Sequence, residues 1–255
     1  PAADSARHIR PDYTRTDPSH TADCGGATVL YARAIDSTFQ TPVGKVASAQ
    51  ARPTADVLAA AERLLHYAAT QPAAELVFYA SAMDMIVHGD ASYLSETNAR
   101  SRAAGVLFLG DMTKSHILNA PILCLSTILD VVVSAATEAE YGAAYINAKQ
   151  TATLRGVLHD IGHLQEPTLM FIDNKAAEGI ANDTVTQRHS KAMDMRFHFV
   201  RDRVRQGQLR VVWAPGCSNL ADYLTKAHPT KHYVAMRPFF VTTPPLADDW
   251  TLVGR

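Results

Sequence analysis

Short apolar runs bounded by turn-forming residues give way, along this chain, to stretches with helical periodicity. Residues 75–79, 85–88, 105–109 and 122–125 are compact aliphatic and aromatic runs suited to strands, and Gly110-Asp111 fits a turn between the last two. Downstream the period changes. A helical pattern covers about 138–163, then a strand at 168–172, a short helix near 174–182 and a longer one near 191–205. A strand at 208–213 and a helix at 219–226 complete the series. Early strands followed by alternating helix and strand predict an α/β fold, a mixed sheet with helices on both faces.

The helical phase singles out one acid. Glu140 lies in line with Ala144, Asn147, Thr151, Leu154, Leu158 and Ile161, the stripe that holds most of the long helix's large aliphatic residues, so it should face the sheet. Glu138 is about 200° round the helix and should meet solvent. Upstream, residues 28–74 read as a small helical unit, with Pro53-Thr54 as a helix start and Leu58, Leu64, Leu65 and Ala68 as its apolar stripe. Residues 1–27 are polar and proline-broken, an arm; 75–230 form the main domain; 231–255 form a tail rich in proline and aromatics. Phe239, Phe240, Val241 and Trp250 are costly to leave in water, so the tail is expected to lie extended against the 28–72 helices or in a partner's groove.

Composition narrows the class without naming it. The 255 residues, 47% hydrophobic and 19% charged, can bury one full core and a small second unit. A net charge of −1 gives no global signature of nucleic-acid binding, so any such surface must be local. Cys24, Cys124 and Cys217 form no CxxC pair, which points away from a disulfide framework or structural zinc and towards a reducing, intracellular compartment. No apolar run approaches the roughly 18 residues of a membrane span. The chain begins at Pro1 and reads as a fragment or processed form, and the acids among residues 1–27 argue against a targeting helix.

Four carboxylates carry the chemistry. Asp90 closes an apolar run, Glu140 opens the long helix, Asp173 ends a strand, and Asp222 lies in the late helix. Oxygen ligands on separate elements, converging on paired divalent ions, are what a two-metal phosphodiester hydrolase requires. Each has a plainer use as well: Asp173 as a helix cap, Thr137-x-x-Glu140 as a capping box, Asp222 beside a helix dipole, Asp90 in a turn.

The set resembles, in order, the ribonuclease H domain of copia-type retrotransposon polyproteins. Asp90-Ala91-Ser92-Tyr93 is similar to its first-strand motif, and residues 134–141 to its Ser-Thr-Glu-Ala-Glu-Tyr motif. Asp173-Asn174-Lys175-Ala176-Ala177 is similar to its Asp-Asn-x-x-Ala motif, residues 188–201 to its basic helix, and Asn219 to Lys226 to its closing Ala-Asp-x-Leu-Thr-Lys signature. Residues 28–72 resemble the tail of the preceding polymerase, whose paired-Asp motif is missing here. The likeness implies a metal-dependent endonuclease that cuts the RNA strand of RNA–DNA hybrids with two Mg2+ ions, Mn2+ substituting. Asp90 would bridge the ions, Glu140 and Asp173 would support the leaving-group side, and Asp222 the water side. Ser92 and Asn174 are candidates for 2′-hydroxyl contact, Arg188, Lys191, Arg196 and Arg201 for phosphate contact, and His189 for product release. The rival expectation is a captured copy acting as a structural subunit of a larger protein or ribonucleoprotein assembly, held through its terminal tails. No membrane partner is expected.

Overall fold

The computed structural model describes residues 28–51, 54–71, 73–111, 119–184 and 194–242. The arm at 1–27, the basic residues Arg188, His189 and Lys191, and residues 243–255 therefore lie outside the described residues. Helices come first: a helical stretch at 28–34, α1 (Gln40–Ser48) and α2 (Ala55–Thr70). The Thr54 hydroxyl caps α2 by accepting the Val57 N–H, at the start its sequence predicts. Then follow β1 (Asp84–Glu96), β2 (Arg100–Gly110), β3 (Leu123–Ile128) and the long α3 (Ala136–Asp160). The chain continues with β4 (Thr168–Ile172), α4 (Lys175–Ala181), α5 (Asp194–Arg205), β5 (Leu209–Trp213), and finally α6 (Thr230–Met236).

These strands make one sheet in the order β3-β2-β1-β4-β5. The first three are an antiparallel meander, while β4 and β5 run parallel to β1 and to each other. Side chains alternate across a strand, and the core divides accordingly. Met85, Val87, Leu107, Leu109, Met170 and Val211 pack with Tyr141, Ala144 and Ala148 of α3 and with α4 and α5. Ala104, Val106 and Phe108 pack on the opposite face with Leu220, Tyr223, Leu224, Phe240 and Val241. Helices thus cover both faces of a mixed sheet, the α/β arrangement that the sequence predicts. Among the described residues, no helix is long and apolar enough to cross a membrane.

Four local expectations need correction. Residues 76–80 form no strand; only Glu75 bridges, to Thr242, and the Tyr79 backbone is paired by the side chain of Asn119. Asp222 lies on a 3-10 segment, Leu220–Leu224, rather than an α-helix. In α2, Leu65 is exposed and no residue is fully buried. The tail is helical where an extended path was expected: α6 runs into a 3-10 turn at Arg237–Phe239 whose first turn takes Pro238, a place where the missing N–H costs nothing. Through Phe240 and Val241 this segment docks on the sheet, and Arg237 reaches a buried ion pair with Asp36 at 2.5 Å.

Candidate active site

Close packing brings the acids together. Gly89 of β1 and Gly105 of β2 are register partners, and neither carries a side chain that would hold α3 off the sheet. Asn147 of α3 fills the space, its amide donating to the Ala104 and Ala143 carbonyls. A Cβ on Gly105 would stand 1.7 Å from Asn147 Oδ1. The helix half that bears Glu140 is correspondingly small-sided, with Ala139, Gly142, Ala143, Ala144 and Ala148 all buried. Glu140 is itself buried, as its phase predicts, whereas Ile161 at the far end of the same stripe is exposed beyond the helix. Glu138 serves the helix start instead, where its Oε2 accepts from the Ser134 N–H at 2.8 Å and the Ser134 hydroxyl at 2.9 Å. The helix begins at Ala136, so the capping contact runs from Ser134 to Glu138 and not from Thr137 to Glu140.

Asp90, Glu140 and Asp173 each place a carboxylate oxygen within 4.8 Å of the other two. Burial, with Asp222 and Asp173 nearby, raises the Asp90 carboxyl to about 7, although a hydrogen bond from Thr225 opposes the rise. Burial raises Glu140 to about 9, and Asp90 and Asp173 add to it. Asp173 is also raised, first by burial and then by Asp222. One oxygen of Glu140, Oε2, is buried without a hydrogen-bond partner. Such an acceptor, among mutually repelling carboxyls, suits a hard divalent cation with all-oxygen ligands.

The 219–226 segment binds the site to the sheet residue by residue. Asn219 donates from Nδ2 to the Gly89 carbonyl at 2.8 Å, and its Oδ1 accepts the Ala221 N–H. Thr225 Oγ1 lies 2.9 Å from Asp90 Oδ2 and 2.9 Å from the Asp222 carbonyl, donating to one of them. The Leu224 carbonyl accepts from Thr41 at 2.6 Å and Ser126 at 2.8 Å. Lys226 Nζ rests 2.5 Å from Asp222 Oδ1, and that bond, more than any other influence, raises the lysine. Gly216 lets the chain pass close to the cluster, since a Cβ there would lie 2.9 Å from Asp173 Oδ2.

No family model matches the chain. Among curated proteins it is 28% identical, over 177 residues, to the retrovirus-related Pol polyprotein from transposon RE2 of Arabidopsis thaliana, covering 68% of this chain and 12% of that one. It is 27% identical over 152 residues to the corresponding polyprotein from transposon TNT 1-94 of Nicotiana tabacum, covering 59% and 11%. The chain is thus similar to retrovirus-related Pol polyproteins of plant transposons. It spans only 11–12% of the length of these two. Solved structures that resemble it include the N-terminal ribonuclease H domain of a Mycobacterium tuberculosis protein, at 13% identity over 60% of this chain and 96% of that chain, TM-score 0.41. Another is LC11-RNase H1 in complex with an RNA/DNA hybrid, at 14% identity over 55% and 92%, TM-score 0.40. Likeness of that size adds nothing to the sheet order described above.

The remaining candidates divide. Ser92 donates to the Thr225 carbonyl at 2.9 Å and contacts Ser95, so its hydroxyl ties β1 to the segment that bears Asp222. Asn174 caps α4, its Oδ1 accepting the Ala177 N–H at 3.0 Å. Arg201 is engaged internally, by the Ile180 carbonyl and by Asp183, and fixes α5 to the end of α4. Arg196 lies over the Tyr145 ring. Sequence reasoning overlooked Lys175 and Trp213: the ammonium sits 4.4 Å above the indole, and the indole N–H donates to the Asp173 carbonyl at 3.0 Å. Their only signal was position, one just after Asp173 and the other at a strand end. His88 is half-buried beside Phe108 and Phe171, and desolvation lowers it to about 4.

Proposed function

We propose that this chain is a metal-dependent endonuclease that hydrolyses the RNA strand of RNA–DNA hybrids. One observation carries the reading: Asp90, Glu140 and Asp173 converge within 4.8 Å, and the buried Glu140 Oε2 has no hydrogen-bond partner there. Two Mg2+ ions held by these acids and Asp222 would supply an activated water and stabilise the leaving oxygen. The protein's own contribution is positioning. Thr225 orients Asp90, Asn219 fixes the turn that presents Asp222, and Gly216 admits the chain beside Asp173. Lys226 neutralises part of the cluster through Asp222 and must release it as cations arrive. Lys175 and the half-exposed Trp213, next to Asp173, offer a cation and an aromatic face to the hybrid. A solely structural subunit would have no use for these clustered, mutually repelling acids.

The test incubates the purified chain with an RNA–DNA hybrid labelled on either strand. Cleavage of the RNA strand with Mg2+ or Mn2+, none with Ca2+, and none in Asp173→Asn is the expected result. Failure with both Mg2+ and Mn2+ would remove the reading.

A further inference from the structure

A second group of ligating side chains adjoins the acidic cluster. Asp222, His228 and His232 each offer a ligand atom within 4.8 Å of the other two, and all three are half-buried. Short-range folding assembles them. Pro229 turns the chain out of the 3-10 segment and into α6, so His228 stands just before that helix and His232 in its first turn. The two imidazole centroids are 4.2 Å apart, tilted by 32°. Tyr223 lies parallel to His228 at 5.8 Å and limits its rotation. His228 Nε2 stands 3.9 Å from Asp222 Oδ2 and 3.2 Å from the Asp222 backbone carbonyl, a hydrogen bond that a bound metal would replace. A tetrahedral zinc ion with bonds near 2.0–2.1 Å has a ligand–ligand edge of about 3.4 Å, so a small side-chain rotation closes the site.

We propose that Asp222, His228 and His232 bind a borderline divalent transition metal of the zinc class, at a site distinct from the all-oxygen cluster of Asp90, Glu140 and Asp173. Imidazole suits zinc and its neighbours, whereas magnesium takes oxygen. Three protein ligands in a half-open setting leave the fourth position to water. Asp222 is shared, so zinc held here draws that carboxylate away from the acidic cluster. That regulatory consequence rests on the nuclease reading; the metal site does not.

The experiment titrates the metal-free full chain with Zn2+ against a chromogenic chelator, and records visible spectra with Co2+. One tight equivalent is expected, weakened about a hundredfold or more in His228→Gln and in His232→Gln, and retained when Asp90 and Asp173 are both changed to Asn. The Co2+ bands should depend on the same two histidines. Circular dichroism reports folding, and if His228→Gln unfolds, His232→Gln decides. Absence of a stoichiometric zinc equivalent, or equal affinity in a folded histidine variant, would overturn the site. So would loss of zinc on changing Asp90 and Asp173, which would make the histidines mere neighbours of the acidic cluster. None of these readouts requires hybrid cleavage, so failure of the nuclease reading is seen separately.

Discussion

Asp90 and Glu140 are acids that the folded, metal-free protein holds in protonated form well above their ordinary values of 3.8 and 4.5. A raised carboxyl binds more protons folded than unfolded, so its contribution to stability is full below the ordinary value and is lost as pH rises through the folded one. Thermal stability in EDTA should therefore fall between about pH 4 and the values of about 7 for Asp90 and about 9 for Glu140. Melting curves across that window should show a shallower fall in Asp90→Asn and in Glu140→Gln; parallel slopes in all three would contradict the assignment. Added Mg2+ selects the ionised acids, so its stabilising effect should grow with pH. At fixed pH 8, Asp90→Asn should lose RNA cleavage by about a hundredfold or more, since a metal ligand supplies several kcal/mol at the transition state. The same variant should melt no lower than the parent without metal, because like-charge repulsion is relieved.

At the scale of an element, α3 is placed by absences of side chain as much as by their presence. Gly105→Ala drives a methyl group into Asn147 Oδ1, and overpacking of this kind costs about 1–3 kcal/mol. Chemical denaturation should show that loss, together with reduced cleavage as Glu140 is pushed from the cluster. Adding Asn147→Ala should recover part of it, and the double-mutant cycle should give a clearly non-additive coupling. The two acids at the start of α3 separate by readout. Glu140→Gln should abolish cleavage, whereas Glu138→Gln should leave it nearly intact and cost about 1 kcal/mol, because its carboxylate only caps Ser134. Equal activity losses would contradict this division of roles.

Across the whole molecule, the helical unit and the chain's last described segment meet through Asp36 and Arg237, both almost fully buried. Tyr67 of α2 packs at a tilt against Phe39 and Tyr233 of α6, with the Arg237 guanidinium over its ring. A buried pair deprived of one partner leaves a bare charge and costs about 3–5 kcal/mol. Arg237→Ala should lower the melting temperature sharply and expose apolar surface to a dye. Arg237→Ala with Asp36→Ala should restore much of it, since neither charge is then orphaned. A single variant that melts like the parent would show that this junction contributes little.

The sequence by itself marked most of the elements and their order, and it picked out Asp90, Glu140 and Asp173, which the fold brings together, because hydrophobic period and local motif are properties of neighbouring residues. The phase of α3 was enough to choose Glu140 over Glu138. Tertiary structure decided what depends on residues distant along the chain. The Gly89–Gly105 pairing lets Asn147 seat against the sheet, and the bond from Asn219 to Gly89 spans 130 positions. Whether Ser92 and Arg201 are free for nucleic acid or engaged inside the protein was equally invisible, since their partners, the carbonyls of Thr225 and Ile180, are backbone groups without sequence identity. The proximity of His228 and His232 to Asp222 required a proline turn and a short helix, and the residue spacing alone does not reveal that fold-back. Local pattern fixes which face a side chain occupies; only packing fixes what it meets there.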